Sequence, residues 1–137
     1  MNYQLSFATL VQYDPGQPSI PVPITLSLSQ DHPVNCEAKV DTGASLCIFA
    51  RDLGEQLGLD VESGMRQLVG TVTGTFVVYL HEVNLSVAGL ECSALVGFAE
   101  DEGFRRNVLG RRGFLEHITL GLVDDEGQLY LSYYGNA

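Results

Sequence analysis

Ala38-Lys39-Val40-Asp41-Thr42-Gly43-Ala44-Ser45 is the stretch that decides how the rest of the chain is read. Cys36, Ala38 and Val40 fall on one face of an alternating strand, which ends abruptly in an acid, a hydroxyl and a glycine. A turn there lets Gly43 adopt backbone angles closed to other residues and brings main-chain N–H groups near the Asp41 carboxylate. The Thr42 hydroxyl can tie the loop to a neighbour. The outcome is a rigidly held acid. Many Asp-Thr-Gly triplets are Asx-type turns without chemistry, so the triplet has to be weighed with its surroundings.

Upstream, Val22, Ile24, Leu26 and Leu28 share one face of a second alternating run, joined to the first by Gln30-Asp31-His32-Pro33, which has turn chemistry. Downstream, Phe76 to Leu85, Leu90 to Val96, Ile118 to Val123 and Leu129 to Tyr134 are β-rich. Ala88-Gly89 and Asp124-Asp125-Glu126-Gly127 separate them. Only Ala50 to Leu57, stopped by Gly58, and a short turn around Arg111 to His117 invite a helix. Many short strands in a small chain imply a mostly β, barrel-like or sandwich architecture with one or two short helices. At 137 residues and 45% hydrophobic content, residues 1–137 are expected to form one domain.

The balance of 7 basic against 17 acidic side chains, a formal net charge of −10, opposes binding to nucleic acid and to anionic membrane. Arg105, Arg106, Arg111 and Arg112 cluster, but Glu100, Asp101 and Glu102 lie just upstream, so the cluster reads as a local surface or ion-pair feature. Cys36, Cys47 and Cys92 are widely spaced and odd in number, which fits buried free thiols better than disulfides or a metal knuckle. His32, His81 and His117 are isolated and share no ligand spacing, so no metal or other cofactor is expected. No apolar stretch approaches a membrane span, and Met1-Asn2-Tyr3-Gln4 lacks the features of a signal peptide, which makes the cytoplasm the expected compartment.

Three features, in order, give the chain a resemblance to the retropepsins, the single-domain aspartic proteases of retroviruses and their bacterial and eukaryotic relatives. Asp41-Thr42-Gly43-Ala44 follows a hydrophobic strand. Leu68-Val69-Gly70-Thr71-Val72-Thr73-Gly74-Thr75-Phe76 resembles the hairpin that forms the family's flap. Asn107-Val108-Leu109-Gly110-Arg111 resembles its second signature, two apolar residues, Gly and often Arg. The match spans roughly residues 22 to 134.

The resemblance implies a closed β-barrel and an aspartic endopeptidase with Asp41, Thr42 and Gly43 as the catalytic loop. Hydrolysis by this route needs two carboxylates sharing a proton, and one chain offers one such Asp, so a homodimer is implied. The family's N- and C-terminal strands interleave at that interface, which points to Tyr3 to Leu10 and Leu129 to Tyr134. Gly43, Ala44 and Ser45, with Gly70, Thr71, Val72, Thr73 and Gly74 of the flap, are implied to line the cleft for a peptide or protein substrate. An ordinary hairpin tip is the bland reading of Gly70 and Gly74.

Some positions depart from the family pattern. Viral relatives carry an acid where Ser45 stands, and it pairs with the signature Arg, so Arg111 lacks that mate; many cellular relatives carry Asp where Arg112 stands. Ala44 replaces the Ser or Thr of pepsin-like enzymes, removing a hydrogen bond to the carboxylate, which should leave the dyad less acidic than theirs. Two chains of −10 repel at neutral pH and cease to near the pI of about 4.4, so acid should favour the dimer and activity should peak in mild acid. The alternatives are a catalytically inactive dimeric peptide-binding or interaction module of the same fold, and an unrelated barrel in which the triplet is a mere turn.

Overall fold

A computed structural model describes residues 1–29 and 32–133. Gln30 and Asp31 of the first turn, and Tyr134 at the end of the last run, lie outside them. The chain forms β1 (Thr9–Gln12), β2 (Pro21–Ser27), β3 (Val34–Val40), β4 (Ile48–Phe49), α1 (Arg51–Gln56), β5 (Met65–Thr71), β6 (Gly74–Val87), β7 (Leu90–Ala99), β8 (Val108–Leu109), β9 (Ile118–Val123) and β10 (Gln128–Tyr133). The mostly β architecture expected from the alternating runs is what the chain adopts.

Seven strands run in the order β2-β3-β8-β4-β7-β6-β5, and β2 also pairs with β6, from Ile24 opposite Val87 to Ser27 opposite Asn84. That pairing closes six of them into a ring, with β5 left to hang on β6. Closure is possible because β6 is 14 residues long: its first half pairs with β5, while its last four residues meet β2. Ala88 (φ 51°) and Gly89 (φ 84°) turn β6 into β7 with the positive angles that match strand twist in two-residue hairpins. The barrel fills with Val22, Leu26, Phe49, Leu85, Phe98 and Leu109, all essentially inaccessible. A second sheet, β1-β10-β9, lays Leu129 and Leu131 into the same core.

Two local expectations differ. The first strand is Thr9–Gln12, paired with β10 of its own chain, and the residues of Tyr3 to Leu10 before Ala8 lie outside any strand. The turn at Arg111 to His117 amounts to one 3-10 turn, Leu115–His117, because Gly113 at φ 98° breaks the helical path before it. The arginine cluster, read as a surface or ion-pair feature, is a surface one: all four are exposed and none forms an ion pair among the described residues. Two of the three upstream acids are used elsewhere: Glu100 accepts from the Tyr79 hydroxyl (2.6 Å), and Asp101 accepts from the Gly103 N–H (2.8 Å).

Candidate active site

Asp41 follows directly on β3, where that strand runs parallel to β8. Three successive N–H groups fix the approach: Lys39 donates to the Asn107 carbonyl, Val40 to Ile20 and Asp41 to Leu109, each at 3.0 Å. The chain then turns on itself. The Gly43 N–H donates to Asp41 Oδ1 at 2.9 Å, and the Ala44 N–H to the Asp41 carbonyl at 3.1 Å. The carboxylate is partly exposed, and Thr42 and Gly43 are exposed. The Thr42 hydroxyl has no hydrogen-bond partner among the described residues, so the tie to a neighbour expected of it is not made there.

The loop is buttressed from behind by the segment after β8. Arg111 N–H donates to the Ala44 carbonyl (2.8 Å), Arg112 N–H to the Ser45 carbonyl (3.0 Å), and Cys47 N–H to the Arg112 carbonyl (3.2 Å). This close lacing requires glycine at 110. A Cβ there would lie 2.1 Å from the Leu46 carbonyl oxygen and 2.8 Å from that of Ala44, far inside contact distance. β8 thus lies between β3 on one side and β4 on the other, holding the loop and its continuation against one core.

The chain belongs to the aspartyl protease family. Its residues 22–121 match the family model, a span that begins in β2 and ends in β9 and includes the Asp41 loop, the β5–β6 hairpin and β8. That membership removes the unrelated barrel from consideration. No curated protein matches the chain.

The segment that the resemblance likened to a flap is a β-hairpin. β5 and β6 pair from Met65 opposite Leu80 to Thr71 opposite Gly74, leaving Val72 and Thr73 as a fully exposed tip. Thr71 Oγ1 donates to the Gly74 carbonyl at 3.0 Å, a bond internal to the tip. Among the described residues, no hydrogen bond joins Gly70, Thr71, Val72, Thr73 or Gly74 to the Asp41 loop. The base is different: Val69 and Phe76 pack against Leu46, Ile48, Val78 and Leu80, and Phe76 stacks on Phe104 at 5.1 Å. The base of the hairpin and the continuation of the Asp41 loop at Leu46 therefore share an apolar patch, while the tip is held by its own turn.

Sequence reading missed Asn107 as a positioning residue. Its Oδ1 accepts from the Ala50 N–H at 3.0 Å and its Nδ2 donates to the Glu37 carbonyl at 3.2 Å, so one side chain joins β3, the start of α1 and β8. It opens the quoted second signature, and an amide, which both donates and accepts, immediately before that apolar pair was the available signal. Cys47, expected to be a buried thiol, is one; its Sγ receives the Gly110 N–H at 3.4 Å. Burial pushes its pKa up to about 12 and that of Cys36 to about 11, and Cys92 is raised for the same reason. All three cysteines are free, but Cys36 and Cys92 are half-buried rather than buried as expected.

Proposed function

We propose that the protein is a homodimeric aspartic endopeptidase in which Asp41 of each subunit supplies half of one active site. The observation that carries this reading is a partly exposed carboxylate on a loop whose backbone is tied to β8 and whose Oδ1 is fixed by Gly43, in a chain offering one such loop. Two carboxylates brought together across a twofold axis share one proton, because like charges about 3 Å apart cannot both ionise. The ionised member takes a proton from the attacking water as its oxygen bonds to the peptide carbonyl carbon, and the protonated member donates to the carbonyl oxygen. The proton belongs to the pair. Collapse of the tetrahedral intermediate breaks the C–N bond, with a proton passed to the leaving amine.

Several features suit the dimer. The Thr42 hydroxyl is available to a partner loop. Met1, Tyr3 and Leu5 alternate with polar residues and stand exposed, and Phe7 anchors this arm on Gly121 and on Tyr130, ring centroids 5.7 Å apart. β1 and β9 are the edges of the three-stranded sheet, with Leu122 and Val123 exposed on β9, so an added strand from a second copy has a place to pair. Gly43, Ala44 and Ser45 would line the floor of the cleft, and Gly70 to Gly74 would close over the peptide and exclude water.

The test is cleavage of a diverse peptide mixture from about pH 3.5 to 7, the range in which such a dyad carries one proton. Products from the wild type and none from Asp41→Asn are expected. A folded dimer that cleaves nothing would instead make the chain a peptide-binding module. Sedimentation should find the dimer tighter at about pH 5 than at pH 7 in low salt, with added salt recovering it at pH 7. Equal dimerisation in both would overturn the charge argument.

A further inference from the structure

Beside the Asp41 loop the molecule carries two arginines that pair with no carboxylate among the described residues. Arg111 and Arg112 are exposed, and neither forms an ion pair with a described residue. Their backbones are nonetheless fixed, since their N–H groups donate to the Ala44 and Ser45 carbonyls. Both line a cavity of about 630 Å³ together with Ser45 and Glu116. An adjoining cavity of about 420 Å³ shares Ser45, Arg112 and Glu116 and continues to Gln67 on β5, the outer flap strand. The groove therefore leads from the catalytic loop toward the flap. Glu116 is the acid within it, and its carboxylate accepts from the Gly113 N–H at 2.6 Å and lies 3.7 Å from His117 Nε2. Ser45 offers a hydroxyl but no counter-charge. Two unpaired guanidinium groups and one carboxylate, a net positive charge, thus sit beside the loop in a chain of net charge −10.

We propose that this groove is a cationic subsite that selects peptides carrying aspartate or glutamate at a fixed distance from the bond to be cleaved. The inference rests on the endopeptidase reading and names its substrate class. A guanidinium fork matches a carboxylate in two parallel hydrogen bonds, and a site against low-dielectric walls keeps more of that attraction than open surface does. Leu46, Leu80 and the exposed Leu95 line the second cavity and give the neighbouring substrate residue an apolar shelf. A homodimer repeats the groove across its axis, so the acidic preference falls on both sides of the scissile bond, at matching distances.

The experiment compares matched peptides with Glu, Gln or Lys at each position around the cleaved bond, at about pH 5.5, where a peptide carboxylate is ionised. The wild type, Arg111→Glu and Arg112→Glu are each read as the ratio of kcat/KM for the Glu over the Gln peptide, so a loss of folded protein cancels. The wild type is expected to favour Glu about tenfold at one position on each side, the equivalent of ~1.4 kcal/mol. Arg112→Glu should bring that ratio below one and favour Lys. A ratio near one in the wild type, or a preference surviving both reversals, overturns the proposal. If no peptide is cleaved, the endopeptidase reading falls, and anisotropy of the same peptides, fluorescently labelled, on the same three proteins decides the subsite by the same ratios.

Discussion

Asp41 and Asp101 occupy the same local structure. Each is followed two residues later by a glycine whose N–H donates to its Oδ1, at 2.9 Å for Gly43 and 2.8 Å for Gly103, and Asp14 does the same with Gly16. A Cβ on Gly43, Gly103 or Gly16 would meet that aspartate oxygen at 3.3, 3.2 and 3.2 Å. The difference lies behind the turn. Asp41 is reached along a strand flanked by β2 and β8, and the next few residues of its loop are laced to residues 110–112, whereas Asp101 and Asp14 sit in exposed loops. An Asx turn holds a carboxylate locally, and only contacts between distant parts of the chain hold the turn itself in place.

The largest effect separating the two turns is on activity: Asp41→Asn should reduce peptide cleavage to background, while Asp101→Asn, which keeps the turn's acceptor, should leave it unchanged in the same assay. Next comes stability. Gly110→Ala forces a methyl into the Leu46 carbonyl and should destabilise by about 3 kcal/mol or more in urea unfolding. Gly103→Ala meets only the movable end of Asp101 and should stay within about 0.5 kcal/mol. Asn107→Ala leaves the Ala50 N–H and the Glu37 carbonyl without their partner and should cost about 1–2 kcal/mol by the same measurement.

The smallest effect is a chemical one. Burial holds Cys47 protonated, so at about pH 8 it should alkylate more slowly than an exposed thiol, as followed by mass spectrometry. Its raised pKa means that the stability it contributes is complete below the ordinary thiol value of 9.0 and lost as pH climbs through about 12. Because Cys47 lies against Gly110, Gly110→Ala should speed its alkylation and Gly103→Ala should not.

Much of this was legible in the sequence, for identifiable reasons. The run Ile118 to Val123 became β9 with the same bounds, and α1 ends before Gly58, because alternation and glycine stops are local signals. β4 and β8 give no strand signal of that kind. Ile48-Phe49 and Val108-Leu109 are two residues each and buried throughout, so neither has a polar face to alternate with. Yet these two short strands seat the Asp41 loop. The Asp41 triplet could be found by inspection, but the groove at Arg111 and Arg112 could not, since two of the acids near them in sequence prove to be bonded elsewhere. At the N-terminus, Met1, Tyr3 and Leu5 stand exposed, so the strand that the family resemblance implied from Tyr3 begins only at Thr9.

The lacing of Cys47 to Gly110, 63 residues apart in sequence, also sets an order of events during synthesis. A nascent chain that has emerged only as far as β7 already carries Asp41 but has no Leu109 carbonyl to receive its N–H and no residue 110 behind its loop. Contacts between such distant residues form late in folding, because the intervening chain must first be closed. Asp41 is thus made early and seated only once residue 110 has emerged, which gives a growing polypeptide an interval in which it carries the acid without its seat.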